Sequence, residues 1–189
     1  MHPHTHRWLV CLAGFLLSVA APAAEKPLAI DAAQSRVDIV VRATMDSFSG
    51  KLNVYETAIG IGEDGRVASA RFAFHFRDLL TGKDGRDKAM HKWQETEKFP
   101  DGLFVLTSLE PAQAPETGWV AIGRFTMHGV TRDLRFPASV VRDGETYAID
   151  GDATVDTREF GLPIIRMMGL LKVDPLVHVK FHLQGRVAR

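Results

Sequence analysis

The sequence predicts an all-β protein, a single antiparallel up-and-down β-barrel of about eight strands with one helix between strands three and four. Two observations carry this prediction. Apolar and polar residues alternate with period two in about eight consecutive segments, which is the pattern of half-buried strands. Most connections between these segments are also short, and short connections join antiparallel neighbours.

The segment 118–140 shows the pattern most clearly and reads as a β-hairpin. His128-Gly129 fits a two-residue turn, because Gly tolerates a positive φ and His enters that region more readily than most residues. The turn sets the register. The predicted pairs, all on one face, are Met127 with Val130, Gly123 with Leu134, Ala121 with Phe136, and Trp119 with Ala138. Three of them match a large residue with a small one, which suits a curved sheet with an apolar concave face.

The other strands follow from the same alternation. In chain order, the predicted strands are 36–45, 51–61, 68–76, 103–109, the two arms of the hairpin, 147–155 and 177–184. Residues 47–50 are predicted to form the turn after the first strand. Gly62-Glu63-Asp64-Gly65 is a strong turn signal after the second.

One helix is predicted between the third and fourth strands. Asp84 can cap it, with Asp87 near its positive end. The apolar residues at helical spacing are Ala89, Met90 and Trp93. Phe99 precedes Pro100 and is therefore pushed towards an extended conformation, so the helix should end near Lys98.

Composition limits the class of protein. The chain has 189 residues, a formal net charge of zero and 46% hydrophobic residues, which indicates one ordinary globular domain after any targeting segment is removed. No basic stripe is present, which argues against nucleic acid as a partner.

Residues 1–23 read as a secretory signal peptide, and residues 24–189 as the barrel domain. The apolar run from Trp8 to Val19 is too short for a membrane span, although a retained membrane anchor is the alternative. Small residues surround the expected cleavage site, so the mature chain should begin at Ala24 or Glu25. Cys11, the only cysteine, would be removed. The predicted location is the periplasm or the cell exterior.

In an up-and-down barrel, alternate connections lie at the same end. This rule, which we call connection parity, predicts which connections share an end. One end receives the polar turns 62–66, 111–118 and 142–145. The other receives 46–50, the segment 79–102 with its helix, the turn 128–129 and the connector 157–175. Apolar residues would gather at this second end: Phe48, Met90, Trp93, Phe160, Leu162, Ile164, Ile165, Met167, Met168, Leu170 and Leu171. Such an end is either a plug or the mouth of an apolar pocket.

The inward aromatic residues could simply be core. Two features favour an unfilled interior instead. Small residues occupy inward positions at several heights: Ala70, Ala121, Gly123, Ala138, Gly151 and Ala153. The connector 157–175 is also richer in Met and Ile than a solvated loop, and Met adapts to irregular apolar partners.

Four segments resemble the YceI-like, polyisoprenoid-binding family. F-T-M-H-G-V-T-R-D-L-R-F-P at 125–137 resembles that family's L-T-x-H-G-V-T-R-x-V-x-x-P segment. Ile30-Asp31 with Ser35-Arg36-Val37-Asp38-Ile39 resembles its opening strand, Glu97-Lys98-Phe99-Pro100 its E-K-F-P, and Glu159-Phe160-Gly161 its D-F-G. The chain departs from the family pattern at three places. Gln34 stands where the family often has His, and Glu159 replaces the Asp of D-F-G. The stretch 86–97 is shorter than the corresponding stretch in the family and lacks its Phe-Phe.

This resemblance implies a lipocalin-like barrel that holds an isoprenoid chain, either a polyprenyl lipid or an isoprenoid quinone, with no covalent cofactor. Candidate head-group contacts are His128 and Arg166. Arg158 and Arg166 could bind a phosphate head group. The alternative is that both arginines lie in solvent and cover apolar surface with their aliphatic stems. The predicted ligand-binding residues are Val37, Ile39, Val41, Phe72, Phe74, Phe76, Trp93, Phe104, Trp119, Phe125, Phe136, Tyr147, Phe160, Ile164, Met167, Met168 and Phe181.

Two other classes of function remain alternatives. One is a non-catalytic envelope module with a packed, empty barrel, whose apolar mouth contacts a membrane transiently or a protein. The other is a metal-dependent enzyme. No nucleophile elbow, phosphate loop or metalloprotease helix motif occurs, and His178 and His182 are predicted to face outward on a strand. No catalytic residue and no metal ligand is predicted.

Overall fold

The computed structural model describes residues 24–44, 47–114, 117–167 and 171–188. Within these residues, one α-helix, α1 (Asp84–Gln94), and three short 3₁₀ helices, Ala32–Gln34, Phe76–Asp78 and Thr157–Phe160, accompany the strands. The strands are β1 (Lys26–Ile30), β2 (Arg36–Ala43), β3 (Ser47–Leu52), β4 (Glu56–Ile61), β5 (Val67–His75), β6 (Leu79–Leu80), β7 (Asp101–Pro111), β8 (Trp119–Met127), β9 (Val130–Asp143), β10 (Thr146–Asp156), β11 (Arg166–Met167) and β12 (Leu171–Val187).

Eleven of these strands fill eight antiparallel positions around a closed barrel, and β11 lies off this path, paired with β12. Three positions hold broken strands, in which β1 is followed by β2, β3 by β4, and β5 by β6. The long strand β12 pairs with β10 along one edge, and with β2 and then β1 along the other. The pairing of β1 with β12 closes the ring and removes the free edge. The predicted up-and-down barrel is confirmed, with α1 between β6 and β7.

The start of the chain differs from the sequence prediction. Strand β1 was not predicted, and the predicted turn 47–50 is wrong, because these residues lie in β3. Phe48 pairs with Val41 and Gly50 with Ile39, so pairing with β2 overrides the turn preference of Ser and Gly. The predicted strand 51–61 is broken at residues 53–55. Met45 and Asp46 lie outside the described residues.

The predicted hairpin is confirmed in its register. His128 and Gly129 have φ values of 49° and 72°, as a two-residue turn of type I′ requires. All four predicted pairs occur: Met127 with Val130, Gly123 with Leu134, Ala121 with Phe136, and Trp119 with Ala138. A local turn therefore places one apolar face of β8 and β9 towards the interior.

The helix ends earlier than predicted. Glu95 adopts the left-handed conformation at φ 51°, and its N–H donates to the carbonyl oxygens of His91 and Lys92. This closes the helix before Lys98. Asp84 lies in the first turn and Lys83 at the cap, so the predicted capping role of Asp84 is also wrong. The Asp87 carboxylate instead accepts from the backbone N–H of Thr81 at 2.9 Å and from its hydroxyl at 2.6 Å.

Contacts at the two ends agree with connection parity. At the end of the polar turns, the Tyr147 hydroxyl donates to the Gly65 carbonyl at 3.0 Å. At the opposite end, the indole Nε1 of Trp93 donates to the Pro163 carbonyl at 2.8 Å. Helix α1 and the connector therefore share an end, which we call the helix end. No helix in the described part of the chain is long and apolar enough to cross a membrane.

Candidate functional site

The barrel contains a cavity of about 890 Å³. Its wall is formed by residues of every strand from β2 to β10 and of β12, and it extends to α1 and to the connector residues 163–166. The lining is largely aliphatic and aromatic. A cavity of this size and character is typical of a site for a small apolar ligand.

Most of the predicted ligand-binding residues line this cavity, because alternate residues of each strand face inward. The predicted residues that do so are Val37, Ile39, Val41, Phe72, Phe74, Phe76, Trp93, Phe104, Phe125, Phe136, Ile164 and Phe181. Their contact with a ligand stays a prediction. Met168 lies outside the described residues, as does the side chain of Met167.

Three of the predicted ligand-binding residues do not line the cavity. Tyr147 is 1% exposed and closes the polar-turn end through its bond to Gly65. Trp119 lies at the same end, where its ring centroid is 5.8 Å from the guanidinium of Arg66. Phe160 is 2% exposed and packs edge-on against Phe125, with ring centroids 5.6 Å apart. These aromatic rings seal the barrel around the cavity.

The empty volume does not lie over the glycines, contrary to expectation. A Cβ built on Gly151 would lie 2.3 Å from the ring of Phe181, and one built on Gly123 would lie 2.5 Å from the ring of Phe104. Aromatic rings therefore cover both glycines. The inward alanines Ala70, Ala121, Ala138 and Ala153 do line the cavity. The unfilled space that was predicted beside small inward residues therefore lies beside the alanines and not beside the glycines.

His128 has a structural role in the turn rather than a place in the cavity lining. Its Nδ1 donates to the carbonyl oxygen of Phe160 at 2.9 Å, and its ring centroid lies 4.4 Å from that of Phe99. These contacts join the hairpin turn to the connector and to the segment after α1. The residue therefore holds the helix end together, and its Nε2 is buried without a hydrogen-bond partner among the described residues. Its contact with a head group stays a prediction.

The arginines at the helix end differ in their partners. Arg158 binds the Asp156 carboxylate, with an Nη2–Oδ2 distance of 2.5 Å, and does not line the cavity. The side-chain hydrogen bond from Arg158 lowers the pKa of Asp156, and the same bond raises the pKa of Arg158. Arg166 lines the cavity and is exposed. Arg86 also lines it, with its guanidinium carbon 4.2 Å from the ring centroid of Phe48.

Gln94 is the polar residue that sequence reasoning missed. It lines the cavity and is 1% exposed, and neither Nε2 nor Oε1 of its amide has a hydrogen-bond partner among the described residues. The sequence contains a pattern that indicates where Gln94 lies. Gln94 and Arg86 each lie four residues from Met90 in α1, which places both on the predicted apolar face of the helix.

Two histidines of β12, His178 and His182, form small polar pairs away from the cavity. His182 Nδ1 donates to Asp150 Oδ1 at 2.8 Å, and His178 Nδ1 lies 3.2 Å from the Thr154 hydroxyl. Neither residue lines the cavity. Within the described ranges, no group of three or more His, Cys, Asp or Glu side chains could hold a metal ion.

Solved structures with the same fold span nearly the whole barrel. BcnA of Burkholderia cenocepacia superposes with a TM-score of 0.70 at 20% identity, covering 82% of this chain and 98% of that chain. A polyisoprenoid binding domain from Saccharophagus degradans, implicated in plant cell wall breakdown, gives 0.59 at 16% identity, covering 86% and 99%. The Campylobacter jejuni YCEI protein gives 0.65 at 12% identity, covering 77% and 88%. At these identities the likeness shows the fold alone.

No curated protein sequence matches the chain. A family model described as a YceI-like domain matches residues 28–185, which include all the barrel positions. The match confirms the resemblance found in the four sequence segments, and the chain belongs to the YceI-like domain family.

Proposed function

We propose that this protein is a non-catalytic, exported binding protein that holds one lipid with an isoprenoid chain inside the barrel, for carriage or storage. The observation that carries the proposal is the apolar cavity of about 890 Å³ within a closed barrel. A long hydrocarbon chain gains free energy by leaving water for such a lining, and needs few polar contacts. A packed, empty module would leave no such volume.

The identity of the chain as isoprenoid rests on family resemblance. The family motifs in this sequence and the family match over residues 28–185 support it. A domain of the same fold is described as polyisoprenoid binding. The ligand would be a polyprenyl lipid or an isoprenoid quinone, and no covalent cofactor is needed to hold it.

The location and the route of the ligand follow from the same proposal. Residues 1–23 would direct export and be removed, leaving the mature protein in the periplasm or outside the cell. The ligand would enter at the helix end, where α1 and the connector residues 163–166 border the cavity. A transient contact of this end with a membrane would deliver the lipid without exposing it to water.

The test is extraction of the purified protein with organic solvent, followed by mass spectrometry. We expect an isoprenoid lipid or quinone in an amount comparable to the protein. The same preparation should be analysed for metals. A barrel that carries no lipid and also fails to bind added polyprenyl lipids would point to the interaction module, and a stoichiometric metal would point to an enzyme.

A further inference from the structure

In the described part of the chain, two residues carry buried side-chain polar atoms that have no hydrogen-bond partner: His128, at Nε2, and Gln94. His128 does not line the cavity, whereas Gln94 does. Gln94 is 1% exposed, yet both polar atoms of its side chain have no hydrogen-bond partner in the described part of the chain. A buried amide left unpaired loses its bonds to water without replacement, which is strongly unfavourable. Buried polar groups in native proteins are therefore nearly always paired, and an exception calls for a partner.

Two other polar groups at the same end of the barrel are paired. Thr157 is 5% exposed and lines the cavity, and its hydroxyl donates to the Pro175 carbonyl at 3.2 Å. The indole N–H of Trp93, the residue before Gln94, donates to the Pro163 carbonyl. The fold thus satisfies the polar atoms of Thr157 and Trp93 but not those of Gln94. A partner supplied by the contents of the cavity accounts for this difference.

The surroundings of Gln94 determine the charge that such a partner can carry. An amide offers N–H donors and a carbonyl acceptor, so it pairs well with a hydroxyl or a carbonyl group. It carries no charge to compensate a phosphate, and burying an uncompensated charge is far more costly than burying a neutral polar group. Among the described residues, three arginines line the cavity and are less buried than Gln94: Arg71 and Arg166 are exposed, and Arg86 is half-buried against the Phe48 ring.

We propose that Gln94 is the polar anchor of the cavity and that the bound lipid carries an uncharged oxygen group, a hydroxyl or a carbonyl, at its amide. This inference rests on the proposed function, because it assumes a chain lipid in the barrel. It selects prenyl alcohols, prenylated phenols and quinones over prenyl phosphates. The head group then lies beneath the last turn of α1, rather than in solvent beyond the arginines.

The test compares three ligands that share one tetraprenyl chain: the hydrocarbon, the alcohol and the diphosphate. Dissociation constants are measured by competition against one fluorescent lipid, for wild-type protein, Gln94→Met and Thr157→Val. Both substitutions keep the approximate shape of the side chain and remove its polar atoms. Thr157→Val is the matched control, because it removes a lining polar group that the protein already satisfies.

We expect wild-type protein to bind the alcohol about tenfold more tightly than the hydrocarbon, the factor that one net hydrogen bond supplies. Gln94→Met should bind the two ligands equally, through weaker binding of the alcohol, whereas Thr157→Val should keep the tenfold preference. The diphosphate should bind wild-type protein more weakly than the alcohol.

Three results would overturn the anchor while leaving lipid binding in place. These are no preference for the alcohol in wild-type protein, an unchanged preference in Gln94→Met, and tighter binding of the diphosphate than of the alcohol. If wild-type protein binds none of the three tetraprenyl ligands, the proposed function fails and the anchor fails with it.

Discussion

The indole Nε1 of Trp93 donates a hydrogen bond of 2.8 Å to the carbonyl oxygen of Pro163. This bond joins helix α1 to the connector that follows β10, and both elements border the cavity. The helix end is therefore closed by a contact between two segments that are 70 residues apart in the chain. Movement of either segment away from the other would open a path to the interior.

The first prediction concerns this contact. Trp93→Phe keeps an aromatic ring against the cavity and removes the N–H donor, so it should lower the free energy of unfolding by about 1 kcal/mol. It should also speed the release of a bound lipid. The measurement is thermal unfolding together with the dissociation rate of a fluorescent lipid. Trp119→Phe, at the opposite end and outside the cavity, is the control, and equal release rates in the two variants would contradict the prediction.

A second prediction concerns Gly123. A Cβ at this position would lie 2.5 Å from the ring of Phe104 and 2.5 Å from the backbone oxygen of Val105. The ring of Phe104, rather than the paired residue Leu134, therefore occupies this space. Even Gly123→Ala should destabilise the protein, by about 1–3 kcal/mol, because the backbone oxygen cannot move aside freely.

Gly85→Ala is the matched control for Gly123→Ala. Gly85 lies in α1, and a Cβ built there meets no atom within 4 Å. Alanine should stabilise the helix at this position by about 0.5–1 kcal/mol. Urea unfolding measures both changes. The packing argument fails if the two substitutions shift stability in the same direction.

The third prediction uses two neighbouring residues of β9 to test the cavity. Val140 lines the cavity, whereas Val141 is 62% exposed on the outer face. Val140→Phe places a ring in the space that a ligand would occupy, and should weaken lipid binding by roughly tenfold, or about 1.4 kcal/mol. Val141→Phe should change binding and stability little, within about 0.5 kcal/mol. Lipid occupancy by mass spectrometry distinguishes them, and equal occupancy would place the ligand elsewhere.

A fourth prediction concerns pH. The hydrogen bond from Arg158 lowers the pKa of Asp156 in the folded state. The negative charge of Asp156 therefore stabilises the folded protein. This stabilisation is fully present above the pKa of Asp156 in the unfolded chain, about 3.9, and is lost as the pH falls through its lower pKa in the folded protein. Asp156→Asn should be slightly less stable than wild type at pH 7, because solvent screens an ion pair whose arginine is exposed.

The difference between Asp156→Asn and wild type should disappear in acid, below the folded pKa of Asp156. Asparagine can still accept the N–H of Arg158 that the Asp156 side chain binds at 3.0 Å, so the substitution isolates the charge. Denaturant unfolding at a series of pH values tests this. A stability difference that does not change with pH would show that the carboxylate charge contributes nothing.

The fifth prediction concerns processing. The exported protein should begin at Ala24 or Glu25 and contain no cysteine, because Cys11 lies in the segment that is removed. N-terminal sequencing of protein isolated from the periplasm or the medium tests this directly. A first residue before Val19 would instead support a retained anchor.

The alternation of β8 and β9 and the His128-Gly129 turn could be interpreted from sequence because both depend on local interactions. A two-residue turn with two positive φ values allows one register, and period two then determines which side chains face inward. The register and the alternation together predicted the inward positions of Phe125 and Phe136, and both residues line the cavity. Connection parity, which needs only the order of the strands, placed α1 and the connector at one end.

Contacts between distant segments decided the rest. Pairing with β2 made a strand of residues predicted as a turn, and closure through β1 and β12 brought Tyr147 to Gly65 at the sealed end. Rings of Phe104 and Phe181 fill the space over the inward glycines. The spacing of Gln94, four residues after Met90, indicates the apolar face of α1 although the residue was not predicted, and its burial without a partner depends on how the helix packs over the barrel. Local periodicity determines which way a side chain faces, and only the closed barrel determines what it meets there.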